Sequence, residues 1–232
     1  MIPTHPTANK FGITERGDAG LNQSWHSRAH LFDGLVLITK APHLIQSLPQ
    51  NALIHCTITG YGGTILEPGV QPPSVTVPAY HNLVDHYGSE RVVLRIDPII
   101  PTCKDIERAQ SIYEHARSRV RISFIDAYPH VQQRFKEAGL PPLATGGWLH
   151  FPLDIRRQAF EQYFPSAEIC SEPDLPCTGC ISPRDYKAIG VIPPENAGRK
   201  GQRSNCNCLS TKHELLPDRR PCDHHCLYCY WR

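Results

Sequence analysis

The chain has 232 residues, with 24 Lys and Arg against 22 Asp and Glu and a formal net charge of +2. That length suits one α/β domain and buries a core without help from disulfides, while the near-balanced charge excludes a polycationic nucleic-acid binder. No apolar run approaches the ~20 residues that cross a bilayer, and the opening "MIPTHPTANKFG" lacks the charged-then-apolar order of a secretory leader.

Short β-type runs alternate with helical patterns along the first 170 residues. "FGITER" (11–16), "LVLIT" (35–39), "LIHCTIT" (53–59), "RVVLRID" (91–97), "VRISFID" (120–126) and "AEIC" (167–170) predict six strands. Between the fourth and fifth, "KDIERAQSIYEHARSR" (104–119) carries Ile106, Ala109, Ile112, Tyr113 and Ala116 on one helical stripe, and "DIRRQAFEQYF" (154–164) repeats the pattern. His81 and His86 also fall in a helical pattern. Strand, helix, strand at this spacing predicts βαβ units and a parallel sheet. Six strands predict a partial (β/α)6, TIM-like barrel over residues 1–170. Beyond 170 the periodicity stops, so 171–232 is expected to be a cysteine-rich, metal-binding loop region packed on the barrel mouth, in one structural unit with it.

In parallel α/β folds the chemistry sits at the carboxyl ends of the strands. "TGYGG" (59–63) follows the third strand, Arg95 and Asp97 close the fourth, Asp126 and Tyr128 the fifth, and Cys170 and Glu172 the sixth. Arg95 and Asp97 lie two residues apart and therefore share a face. They suit either a structural ion pair or a grip on a ligand carboxylate. Ser123 shares the fifth strand and is open to either face. "GRKGQR" (198–203) reads as a solvated basic loop.

Of ten cysteines, Cys56 and Cys103 lie in the first half and the other eight between Cys170 and Cys229. With no leader, the chain is expected to be cytoplasmic, where crowded thiols serve metal or redox chemistry. Cys222, Cys226 and Cys229 stand at C-x3-C-x2-C near the end of the sequence. Three thiolates can hold three irons of a [4Fe–4S] cubane and leave the fourth open to a chelating ligand. The alternative is structural zinc completed by His224, His225 or the Cys206/Cys208 pair.

With the aromatic Tyr228 just before its last cysteine, this motif resembles the cluster motif of radical S-adenosyl-L-methionine (SAM) enzymes. The usual core of that superfamily is a partial barrel of six βα units, although its motif mostly follows the first strand. The segments "LITKAP", "LRIDPI", "ISFID", "GQRSNCNC" and "CDHHCLYCY" further resemble successive blocks of an uncharacterised microbial family with its cluster motif at the C-terminus. "TERGDAGLNQSW" matches that family's opening loosely, keeping Arg16 and Asp18. The resemblance implies reductive cleavage of SAM and hydrogen-atom abstraction from a substrate, either a small molecule or a nucleic-acid base. It also implies an electron donor such as flavodoxin or ferredoxin, and no membrane partner. Gly62 and Gly63 are then expected to meet the methionine amino group, Arg95 with Asp97 its carboxylate, and Asp126 the ribose, with Tyr228 beside the cluster. A second [4Fe–4S] cluster on Cys170, Cys180, Cys206 and Cys208 is expected, with Cys177 as the substitute for Cys180. Structural zinc and plain reduced thiols are the competing readings of that set. A non-catalytic module stabilised by zinc or iron–sulfur is the alternative for the whole chain.

Overall fold

The structure is a computed structural model that describes residues 10–192, 207–208, 212–216 and 222–231. Its seven strands are β1 (Phe11–Ile13), β2 (Gly34–Thr39), β3 (Ala52–Thr57), β4 (Val92–Ile99), β5 (Arg119–Phe124), β6 (Glu168–Ile169) and β7 (Lys212–Glu214). All pair in parallel, in the order β6-β5-β4-β3-β2-β1-β7. The α-helices are α1 (Pro73–Tyr87), α2 (Cys103–Tyr113), α3 (Pro129–Glu137), α4 (Leu153–Tyr163) and α5 (Pro183–Ala188). This is the expected parallel α/β sheet, with one strand more than the sequence suggests. The extra strand comes from the region read as loop and pairs with β1.

Period-two alternation sorts the side chains. Leu35 and Leu37, Ala52 and Ile54, Val92 and Leu94, and Val120 and Ile122 turn to one face, where α1, α2 and α4 bury Val77, Tyr80, Ala109, Ile112 and Ala159 against them. The opposite face joins Phe11, Ile13, Val36, Ile38 and Leu53 to Ile181, Tyr186, Cys170, Cys180 and Cys208. Tyr186 of α5 is fully buried and packs on Phe11 with ring centroids 4.7 Å apart. Residues 180–186 and 208 are therefore part of the core, and residue 170 marks no packing boundary.

The same inner face carries charge along β5. Arg119 reaches Glu168 at 2.9 Å and Asp185 at 2.8 Å, and Arg121 pairs with both acids. Asp185 also caps α5 through a reciprocal box with Ser182. Buried guanidinium groups are tolerated only when paired in this way, and the pairing ties α5 to β5 and β6. No helix among the described residues is long and apolar enough to cross a membrane.

Candidate functional site

The carboxyl ends of the strands open into a cavity of about 740 Å³. Each strand contributes to its wall at or just past its end: Asp18 after β1, Lys40 after β2, Thr57 of β3, Arg95 and Asp97 of β4, Asp126 after β5, Cys170 and Glu172 after β6, and Glu214 of β7. Residues 222–231 lie across this mouth, and Cys222, Cys226, Tyr228 and Cys229 line it. Ser123 faces it too, which settles its side of β5. Gly62 and Gly63 do not line it. Gly62 bridges to Glu67, and the Gly63 amide donates to the Glu67 carbonyl, so the glycine turn folds onto its own loop.

The cysteine loop is pinned at several points. His224 is 4 % exposed. Its Nε2 meets Asp18 Oδ2 at 2.8 Å, its Nδ1 meets the Gly69 carbonyl at 3.1 Å, and its own carbonyl accepts the Gly69 amide. Gly69 is required there, because a Cβ would stand 2.3 Å from the Asp223 carbonyl oxygen. Burial pushes the His224 pKa down, but the hydrogen bond and charge of Asp18 outweigh it and the net shift is upward. Asp18 is in turn fixed by the Thr39 hydroxyl and the Lys40 and Gly20 amides. With both His224 nitrogens engaged, a zinc site completed by that residue is disfavoured.

Tyr228 donates its hydroxyl to Glu67 Oε1, which also takes Lys40 Nζ at 2.7 Å and the Thr59 hydroxyl at 2.8 Å. The Lys40 ammonium, opposed by burial, is held charged by Glu67. Cys226 and Tyr228 sit in an apolar cluster with Tyr61, Ile125, Val131 and Phe135. Tyr230 accepts the Asp126 amide, and Arg134 donates to the Cys229 carbonyl.

Burial pushes the Cys222 thiol up to about 11 and the Cys226 thiol up to about 12. Buried thiolates need a nearby cation, which bound metal provides. Among the described residues no three Cys, His, Asp or Glu side chains converge on a single metal ion. A cubane places its thiolates on different irons, so its ligands stand farther apart than those of one ion. Cys222, Cys226 and Cys229 all line the one cavity.

The other cysteine set fits less well. Cys206 lies outside the described residues, as does the 198–203 basic run. Cys170 Sγ and Cys180 Sγ are 3.1 Å apart, and Cys208 Sγ accepts the Cys180 amide at 3.1 Å. Sulfurs that close cannot sit on separate irons without the chain moving. Cys177 is turned away, with its sulfur bonded to the Glu172 backbone.

Arg95 and Asp97 form the expected ion pair and face the cavity together. Arg95 Nε and the Thr57 hydroxyl are buried donors without an acceptor among the described residues, and the two residues stand side by side in register. His150 Nδ1 lies 2.7 Å from Asp126 Oδ1. Burial pushes the Glu172 carboxyl up to about 7, against the Phe124 amide and the Arg156 guanidinium. The cavity thus holds anion donors, a carboxyl able to carry a proton near neutrality, and two groups of thiols.

Sequence reading missed Lys40 as part of this site, gave Asp18 and Glu67 little weight, and offered His224 only as a zinc ligand. Their only signal was a charged or titratable residue beside a strand end or within the cysteine motif.

The model of a domain of unknown function, DUF1848, matches residues 26–231. No curated protein and no solved structure matches the chain. No radical SAM family model matches either, which corrects the superfamily resemblance drawn from the cysteine motif. A short motif of three cysteines and one aromatic recurs too easily to assign a superfamily. The DUF1848 match covers most of the chain, and the chain belongs to that family.

Proposed function

We propose that the chain is an enzyme that binds one [4Fe–4S] cluster through Cys222, Cys226 and Cys229 and cleaves SAM reductively, to start hydrogen-atom abstraction from a substrate in the cavity. The observation that carries this reading is that the three cysteines face the same cavity as residues from the end of every strand. Held by Cys222, Cys226 and Cys229, the cluster would supply the single electron that reductive cleavage of SAM requires.

The protein's own part is positioning. Arg95 Nε and the Thr57 hydroxyl, both lacking acceptors, suit the carboxylate of the methionine moiety, and Asp97 keeps Arg95 oriented. Asp126 at the rim suits a ribose hydroxyl. The apolar packing of Cys226 and Tyr228 keeps water from the loop's inner side. Sequential strand order, with the long helices on one face, favours an open partial barrel with the cavity as its mouth. An electron donor of the flavodoxin or ferredoxin kind is the partner this chemistry needs.

The test is anaerobic purification with iron and zinc counted per chain, followed by dithionite and SAM. About four irons per chain and release of 5′-deoxyadenosine are expected, both lost in Cys226→Ala. Stoichiometric zinc with no cleavage after iron–sulfide reconstitution overturns the proposal and leaves a metal-stabilised binding module.

A further inference from the structure

We propose that Cys170 and Cys180 form a redox-active dithiol in the cavity wall, which exchanges with disulfides of small thiols that enter the cavity. The two sulfurs are 3.1 Å apart and both residues line the cavity, at 7 % and 3 % exposure. An S–S bond is about 2.05 Å long, so closing the pair needs about 1 Å of movement and no rearrangement of the sheet.

The backbone is bent on both sides to bring them together. Ser171, directly after Cys170, has a φ of 58°, and Gly179, directly before Cys180, has a φ of 78°. A left-handed serine is strained and needs support from its surroundings. A Cβ on residue 179 would stand 2.6 Å from the Cys208 amide nitrogen. The Cys180 amide is tied to Cys208 Sγ, which fixes the second arm of the pair. Cys177, the third thiol of this loop, is held by the Glu172 amide and carbonyl and stays out of the exchange.

The chemistry balances without another reagent. One sulfur of the pair attacks the small disulfide, whose S–S bond breaks and releases one thiol. The second sulfur then attacks the mixed disulfide and releases the other. One S–S bond is broken and one formed. The pair loses two electrons and two protons, which leave with the two released thiols. Run in reverse, a small dithiol restores the reduced pair, so the cavity wall stores two reducing equivalents. The exchange itself is independent of the iron–sulfur reading, and only its use on a substrate in the cavity rests on that reading.

The full chain, reduced anaerobically and with its metals counted, is incubated with oxidised glutathione and mapped as peptides without reductant. A Cys170–Cys180 bond should form with loss of two hydrogens and reopen with dithiothreitol. Cys170→Ser and Cys180→Ser should abolish it, Cys177→Ser should retain it, and iron and zinc per chain should stay unchanged in all three. Loss of metal in the Cys170 or Cys180 variant would make the pair a ligand set and overturn the proposal. So would a native chain whose pair stays reduced, or pairs with Cys177 instead; that measurement requires no substitution. In Cys226→Ala the bond should still form, so loss of iron there tests the cluster reading separately.

Discussion

Glu67→Ala tests how the cysteine loop is held. Glu67 is 1 % exposed, and its Oε1 takes Lys40 Nζ at 2.7 Å, the Thr59 hydroxyl at 2.8 Å and the Tyr228 hydroxyl. Removing the carboxylate strips the Lys40 ammonium, whose side chain is 15 % exposed, of its counter-charge and leaves it the Tyr228 hydroxyl at 3.0 Å. Deleting one partner of a buried ion pair costs about 3–5 kcal/mol. The Thr59 and Tyr228 hydrogen bonds share the same oxygen, so their loss belongs largely within that figure. A domain of this kind is stable by about 5–15 kcal/mol, and the change is therefore a large fraction of the total. Lys40→Met in the Glu67→Ala background removes the orphaned charge, and replacing both partners with apolar groups is close to neutral. The double variant should lie within about 2 kcal/mol of the parent, a coupling of at least about 2 kcal/mol. Urea unfolding of the four chains, followed by far-ultraviolet circular dichroism, measures this. The reasoning fails if Glu67→Ala costs less than about 1 kcal/mol or if the double variant costs the sum of the singles.

Two further outcomes follow from buried groups. His55 is fully buried, and burial, then the Arg121 charge, lowers its pKa to about 3. The unfolded chain takes up a proton near the ordinary value and the folded chain does not, so stability present above that value is lost as pH falls. From pH ~7.5 to ~5.0 this costs about 2 kcal/mol, and the unfolding free energies of the parent and His55→Gln, from urea titrations, should diverge by that much. A difference that stays constant across the range would refute the placement of His55. Gly69→Ala puts a Cβ 2.3 Å from the Asp223 carbonyl oxygen and 2.8 Å from His224 Cα, so the cysteine loop must shift and iron retention should drop. At Gly63, where nothing lies within 4 Å of an added Cβ, alanine should cost about 1–2 kcal/mol through its positive φ and leave iron unchanged. Equal iron loss in both variants would dissociate the loop's docking from metal binding.

Most of the sheet was legible because each long strand obeys one simple rule. Val36 and Ile38 face inward while Leu35 and Leu37 face the helices, and the same period placed Arg95 and Asp97 together. β7 was not legible, since "KHE" has no apolar alternation and its strand forms only because β1, some 200 positions earlier, offers an open edge. α1 is interrupted by Pro78 and opens among prolines, which dulls its periodic signal. The cysteines of the loop stood out by spacing, but the groups that hold them did not. Tyr228 and Glu67 are 161 residues apart in sequence, and His224 and Asp18 are 206 apart. No local pattern encodes such a pairing. Gly62 and Gly63 lie outside the cavity lining for a related reason: a turn sequence declares that the chain bends, and only packing decides what the bend faces.

The anchoring contacts also bear on when the cysteine loop becomes competent. Asp18, Lys40, Glu67 and Asp126 each follow a different strand, and they reach the loop from different sides only after the sheet has been ordered. Docking therefore depends on the fold, whereas in a zinc-finger-like module the fold depends on the metal. The thiols pull in the opposite direction. At about 11 and about 12, Cys222 and Cys226 are neutral near pH 7 in the docked loop, so ligation must first release their protons. A loop held in place by His224 and Tyr228 but carrying protonated thiols is preorganised in backbone and unpaid in charge. In the proposed cluster the irons would supply the cations that the buried thiolates lack, while Lys40, already paired with Glu67, adds only part of that charge at Cys226. Weakening the anchors should consequently reduce metal retention before it unfolds the sheet, and removing the thiols should leave the sheet and its ion pairs standing.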